Sequence, residues 1–464
     1  MCISATRLQE ILARLPQPSG CLVALSGGLD SSVLLHLMAQ LRPGLGYPVR
    51  AMHIHHGLQP QADLWQAHCE SLCAGLAIHL QTHHLNLAPR PGESLEALAR
   101  EARYQTLARS MNDAELLLTA QHQDDQAETL LLQMIRGSGP AGLAGMPEQT
   151  RFGPGWLARP LLTISRRALE TYAREHGLIW HEDPSNQALR FDRNFLRHQV
   201  IPLLRERWPA VSETLARSAR YTGELLELVN EEVDEDLERV RIAATDVLSI
   251  PDLHGFNSVR LRHLLRRWIG ARGAGMPNSK KLARIEHEAV FGRADARPEI
   301  RWGRWSVRRF RDGLHLLDEP VPKPSVDALE WPGERSLQLP DGLGQLSTVR
   351  AESGVSAARW RNARIEVRFR QGGERCQPEG RGHRHSLKKL FQEWGIPPWE
   401  REGLPLIYLD GSLAVIPGRV VCEGFAAAPG EPALQVEWTR PPCKGTEAAP
   451  AESVIRETGE PGDC

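Results

Sequence analysis

Residues 26–32, SGGLDSS, hold the densest chemistry in the chain. Gly27 and Gly28 let a backbone approach an anion with no Cβ in the way, and Ser26, Ser31 and Ser32 bring hydroxyl donors. The apolar run CLVAL at 21–25 enters this loop and the helical pattern SSVLLHLMAQL leaves it. A strand therefore hands a glycine turn to a helix N-terminus, where free N–H groups and the helix dipole favour a phosphate. Ser26, Gly27, Gly28, Leu29, Asp30, Ser31 and Ser32 form the candidate cradle for a nucleotide triphosphate. Asp30 is a carboxylate inside that cradle. It repels the ligand unless a cation stands between them, which assigns it to Mg²⁺, directly or through a bound water. The stretch is not a Walker A loop, because no lysine follows the glycines.

A second group lies at 116–145, where the apolar run ELLLT (115–119) leads to His122, Asp124, Asp125 and Glu128. On a helix starting near Asp124, Asp125 and Glu128 are three apart and Asp124 and Glu128 four apart, so carboxylates share a face near the helix start. Acids there also serve as ordinary helix starters, a role open to Asp124 above all. The residue types suit holding Mg²⁺ or the ammonium of an amine substrate, with His122 able to take a proton. Spacing alone does not choose between the cation and the amine.

The elements that must position these groups alternate strand and helix through the first 200 residues. Strands are predicted at 21–25, 49–54, 77–82 and 115–119, and helices at 30–41, 61–75, 93–110 and 124–135. The expected class is α/β, a parallel sheet covered by helices on both faces, with ligands beyond the carboxyl ends of the strands. The loop at 26–30, the segment HIHHGLQP and the segment AQHQDD should then share one edge. The catalytic domain is expected to cover 1–204, followed by a mainly helical domain at 205–320, a proline-rich linker at 321–340, a small α+β domain at 341–438 and a tail at 439–464 too poor in apolar residues to fold.

Composition bounds the function. The net charge of −1 argues against a protein that coats an anionic polymer over its whole surface, but local arginine-dense stretches such as 260–268 and 301–311 leave room for nucleic acid. Eight cysteines without a C-x-x-C pair fit a reduced, cytoplasmic protein, and no run of 18 apolar residues suggests a membrane span. His53, His55 and His56 do not make a zinc site, because strand alternation sends His56 to the opposite face. Cys376, His383 and His385 lack a fourth ligand at a recognised spacing.

The SGGLDSS loop resembles that of the PP-loop ATP pyrophosphatases. SGGLDSS, HHGLQP, HQDDQAETLLLQMIRGSGPAGLAGM, RPLL and DPSNQALRFDRNFLRHQVIPLL further occur in the order seen in tRNA(Ile)-lysidine synthases of the longer form. The resemblance implies joining the ε-amine of L-lysine to C2 of the wobble cytidine in tRNA(Ile) with a CAU anticodon, after ATP adenylates the C2 oxygen and pyrophosphate leaves. It further implies that the backbone of Met52 and His53 meets the adenine, that Arg100 and Arg103 lie near the cleft, and that Arg193, Asn194 and Arg197 contact a nucleotide or tRNA phosphate. Asp125 or Glu128 would then grip the lysine ammonium, with His122 as a proton acceptor.

The stripes Arg260, Arg262, Arg266, Arg267 and Arg381, Arg384, Lys388, Lys389 are expected to hold the RNA backbone. A tRNA thiolase on the same loop would need a cysteine near the adenylate, and Cys2, Cys21, Cys69 and Cys73 all precede the loop or fall within a helix. A glutamine-dependent synthetase would need a further domain ahead of Ser26, and a nucleotide sensor would not need the acidic group.

Overall fold

The computed structural model describes residues 3–57, 61–85, 95–243, 245–293, 295–332 and 336–439. Leu58, Gln59 and Pro60 of the HHGLQP segment and residues 440–464 of the expected tail lie outside the described residues. The chain forms two compact units that divide between Glu235 and Asp236.

The first unit opens with α1 (Ala5–Leu12) and alternates β1 (Cys21–Ala24), α2 (Leu29–Leu45), β2 (Val49–His55), α3 (Ala62–Gly75), β3 (His79–His84), α4 (Leu95–Ser110), β4 (Leu116–Leu118) and α5 (Gln123–Ile135). A short α6 (Pro140–Leu143), the hairpin β5 (Gln149–Phe152) and β6 (Gly155–Ala158), and α7 (Arg166–Glu175) follow. The sheet order is β3-β2-β1-β4-β6-β5. All pairings are parallel except β5 on β6.

Strand β1 is apolar throughout because both of its faces are covered. Cys21 and Val23 pack with α2, α3 and α7 on one face, while Leu22 packs with Met52, Leu107 and Phe152 on the other. The chain runs outward from β1 to β2 and β3, then returns to place β4 on β1's other side. That reversal opens a crevice beyond the ends of β1 and β4. Short helices α8 (Asp192–Phe195) and α9 (Ile201–Arg207), separated by a π-helical turn at Leu196–Val200, bring the chain back toward α5, and α10 (Val211–Val240) leads away.

The second unit contains β7 (Leu248–Ser249), α11 (Ile250–Leu253), α12 (Ser258–Ala271), α13 (Ser279–Arg284), and the meander β8 (Glu299–Trp302), β9 (Trp305–Phe310) and β10 (Gly313–Asp318). Next come β11 (Ala328–Glu330), β12 (Ser336–Gln338), β13 (Gln345–Ala351), β14 (Val355–Ser356), α14 (Ala357–Asn362) and β15 (Ile365–Arg368). The unit ends with β16 (Arg375–Cys376), β17 (His385–Ser386), α15 (Leu387–Glu393), β18 (Leu406–Leu409), β19 (Ser412–Ile416), β20 (Val420–Val421) and β21 (Ala433–Thr439).

Part of the stretch expected as a linker is built into these sheets. β11 pairs with β15 and β12 with β13, and Trp331 and Leu339 are buried in the core that Val367 and Ile407 share. The prolines sit between short strands there, where no ladder N–H is needed. Cys376 and Cys422 are free thiols whose sulfurs lie 2.8 Å apart. No helix among the described residues is long and apolar enough to cross a membrane.

Candidate active site

The glycine loop after β1 has the geometry of an anion cradle. Gly27 takes φ +81°, a left-handed value that a side chain resists, and a Cβ there would lie 3.1 Å from Cys69 Sγ. Its carbonyl accepts the His181 N–H at 3.0 Å, which fixes the turn. Gly28 caps α2 without any side-chain bond, so the first N–H groups of the helix face the crevice uncapped. The three hydroxyls have separate jobs. Ser31 Oγ accepts the Ser26 N–H at 3.2 Å, donates to the Gly28 carbonyl at 3.1 Å and meets Ser26 Oγ at 3.0 Å, bracing the loop from inside. Ser32 Oγ is buried without a partner.

Asp30 Oδ1 is also buried without a partner. Burial raises the Asp30 pKa above the ordinary carboxylate value against the pull of His122 and Arg166. Two orphaned acceptors beside an uncapped helix start fit a triphosphate with a divalent cation. Among the described residues no group of three or more His, Cys, Asp or Glu side chains could hold a metal unaided. Asp30 therefore suits Mg²⁺ of the kind that takes one carboxylate and completes its shell with phosphate oxygens and water.

Beyond β4, His122 is the N-cap of α5. Its Nδ1 accepts the Asp125 N–H at 3.4 Å while Asp125 Oδ2 accepts the His122 N–H at 3.0 Å, a reciprocal capping box. The Nε2 edge of the same ring lies 3.7 Å from Asp30 Oδ2 and 3.4 Å from Asp125 Oδ2. The imidazole, only 1% exposed, thus ties the carboxylate of one loop to that of the next. This suits positioning better than taking a proton from an incoming amine.

Asp125 and Glu128 share a face, one turn apart, as their spacing predicted. Arg193 donates to Glu128 at 2.8 Å and to Asp125 at 3.1 Å. Arg197 donates to Glu128 at 2.6 and 2.9 Å and to Asp125 at 2.8 Å. Burial would raise the Asp125 pKa, but His122, Arg193 and Arg197 outweigh it and bring it down to about 2. Both guanidinium pKa values rise in turn, burial being overcome by the two carboxylates. Asp124 turns away from this cluster: its carboxylate accepts the Arg166 N–H at 3.0 Å and the Arg205 guanidinium at 2.6 Å. That is the helix-start role open to it in the sequence, applied to α7 instead of α5.

Arg100 and Arg103 flank the Tyr104 ring at 5.3 and 5.2 Å. Tyr104 in turn lies close enough to influence Arg193. Asn194 bonds the Ala188 carbonyl at 3.1 Å, shaping the turn before α8. The backbones of Met52 and His53 sit inside the ladder between β1 and β3, and the Met52 carbonyl accepts the Leu25 N–H at 2.8 Å.

The strand end nearby is more open in chemistry. His56 has a buried Nδ1 without a partner and a pKa lowered to about 4 by burial and then by Arg103. Sequence reasoning also passed over Arg166, whose Nη1 lies 3.7 Å from Asp30. The only signal was its place three residues past the end of RPLLT, at the first helical position after Ser165.

Comparison with known proteins accounts for most of the chain. Residues 2–204 match the PP-loop domain family, 248–315 the TilS substrate binding domain and 365–438 the TilS substrate C-terminal domain. The chain is 45% identical to the tRNA(Ile)-lysidine synthase of Methylococcus capsulatus, over 90% of this chain and 95% of the relative. It is 40% identical to that of Coxiella burnetii over 94% and 96%, and 44% identical to that of Serratia proteamaculans over 90% and 95%. With the glycine loop, the Asp125–Glu128 pair and the domain order all in place, the chain belongs to the tRNA(Ile)-lysidine synthase family.

Proposed function

We propose that this protein joins L-lysine to C2 of the wobble cytidine in the CAU-anticodon tRNA(Ile), consuming ATP and releasing AMP and pyrophosphate. Family membership supports the reaction, and one observation carries the assignment of residues: His122 links Asp30 of the phosphate loop to Asp125 of the amine side across the β1/β4 crevice. A cytosine C2 carbonyl is too poor an electrophile for an amine until its oxygen is made a leaving group, and adenylation does that.

The uncapped N–H groups of α2, with Ser32 and the loop backbone, would hold the triphosphate and stabilise charge building on the departing pyrophosphate. Asp30 would hold Mg²⁺, which when bound neutralises triphosphate charge. Asp125 and Glu128 would hold the lysine side chain close to the activated carbon, where fixed orientation supplies much of the rate. A carboxylate whose pKa is about 2 is a weak base. Arg193 and Arg197 would offset the two carboxylates that otherwise favour the charged ammonium, whose pKa is about 10.4 unperturbed, and the proton would leave to solvent before attack. A reduced, cytoplasmic setting fits the free cysteines Cys21, Cys69, Cys73, Cys376 and Cys422.

The test is incubation of the protein with ATP, labelled lysine and tRNA bearing a CAU anticodon. Label in the RNA, with AMP and pyrophosphate in equal amounts, is the expected result. ADP as the nucleotide product, or RNA without label, overturns the reading.

A further inference from the structure

Arginines in the second unit fall into two groups. Arg260 pairs with Asp236, Arg262 with Glu286, Arg272 with Asp246 and Arg304 with Asp318, so each carries a neutralising carboxylate. Around the C-terminal end of α15 the pattern changes. Arg311 donates to the Gln392 carbonyl, and Arg401 donates to the Ile396 carbonyl at 2.8 Å. Arg370 lies 5.7 Å from the Phe391 ring, its Nε is buried without a partner, and its nearest carboxylate, Glu374, is 4.0 Å away. Among the described residues, Arg297, Arg311 and Arg401 have no ion-pair partner. Arg311 and Arg401 are held by neutral carbonyls and, with Arg297, carry charge that no carboxylate offsets, while Arg370 is offset only by Glu374 at 4.0 Å.

The arrangement is built at some cost. Arg311 takes φ +53° in the two-residue turn between β9 and β10, a left-handed conformation that costs a non-glycine residue about 1 kcal/mol. Gly395 takes φ +68°, a value that favours glycine, and a Cβ there would lie 2.9 Å from Arg311 Nη1. Burial, followed by Arg370, Arg297 and Arg311, lowers the Arg401 pKa, so three like charges act on Arg401. Like charges gathered around one helix end are explained by an anion that they share.

We propose that Arg297, Arg311, Arg370 and Arg401 form a clamp for backbone phosphates of RNA, distinct from the paired arginines of α12. The four come from both matched substrate segments, two from 248–315 and two from 365–438. Their donors sit at a surface helix end, which suits a polymer backbone laid across it more than a free nucleotide. The clamp rests on the reading that this chain acts on tRNA, and it adds the residues that take the charge.

The experiment measures tRNA binding by the full chain between 50 and 200 mM salt for wild type, Arg311→Gln with Arg370→Gln, and Arg311→Lys with Arg370→Lys. The double Gln variant is expected to bind about 10-fold more weakly, with the log K against log salt slope reduced by about 1–2. The double Lys variant should keep the wild-type slope and so separates lost charge from lost packing. Unchanged affinity and slope in the Gln variant overturns the clamp, as does a raised KM for ATP with tRNA binding intact, which would make the site one for free nucleotide. Absence of tRNA binding by the wild-type chain overturns the functional reading itself, so the two failures are distinct.

Discussion

Two of the places where arginines meet buried carboxylates differ in how the charges are shared. At the start of α5, two carboxylates and two guanidiniums bond each other in every combination, with Arg193 and Arg197 each reaching both Asp125 and Glu128. In the second unit, Glu286 is fully buried and its ion-pair partner is Arg262. Removing one arginine from the first cluster leaves both carboxylates paired. Removing Arg262 strands a charge in the interior, which costs far more than the pair itself contributes. Shared pairs can exchange partners when a cationic substrate arrives, whereas a one-to-one buried pair serves to hold two helices together.

The largest effect expected is at the shared cluster. Asp125→Asn or Glu128→Gln should lower lysine incorporation by about 10²–10³-fold, with far-UV circular dichroism unchanged. Equal activity in either variant breaks the contrast. Arg197→Gln should lose about 10-fold in activity while its thermal midpoint moves by less than about 2 °C, because Arg193 still serves both carboxylates. Arg262→Gln should do the reverse. Its urea unfolding should show a loss of about 2 kcal/mol, and turnover per folded molecule should be kept. That variant also sharpens the view of α12, because an arginine tied to a buried carboxylate is a poor candidate for the RNA-holding stripe expected there.

The smallest effect is a pH-dependent one at Asp30. Its pKa is raised in the fold, so its charged form weighs against stability once pH exceeds that of the unfolded carboxylate. Asp30→Asn should therefore raise the thermal midpoint at neutral pH. The stability gain should vanish as pH falls below about 4, where both forms are neutral. A midpoint lowered at pH 7 would contradict the orphaned-acceptor reading of the site.

What was legible in the sequence was local. β1, the glycine turn, α2 and the Asp125–Glu128 face all follow from patterns a few residues long, and the structure keeps them. What was hidden depends on distant partners. Asp124 looked like a cap for its own helix, but the group it caps is Arg166, 42 residues away. The resemblance assigned Arg193 and Arg197 to phosphate, and their bonds to carboxylates 65 to 72 residues away leave no mark in the local pattern. Strands β11 and β12 were obscured by prolines because their pairing partners, not their own residues, decide that they are strands. The position of Arg166 near Asp30 likewise depends on α7 folding back beside α2.

The capping box at His122 and Asp125 makes the first turn of α5 and the carboxylate proposed to hold the amine a single object. One Asp125 oxygen is spent on the His122 amide and the other on the arginines, so any rotation of that carboxylate toward a guest loosens the helix start. Hydrogen–deuterium exchange at the amides of residues 122 and 125 is thus an intrinsic reporter of occupancy, readable without a label on substrate or protein.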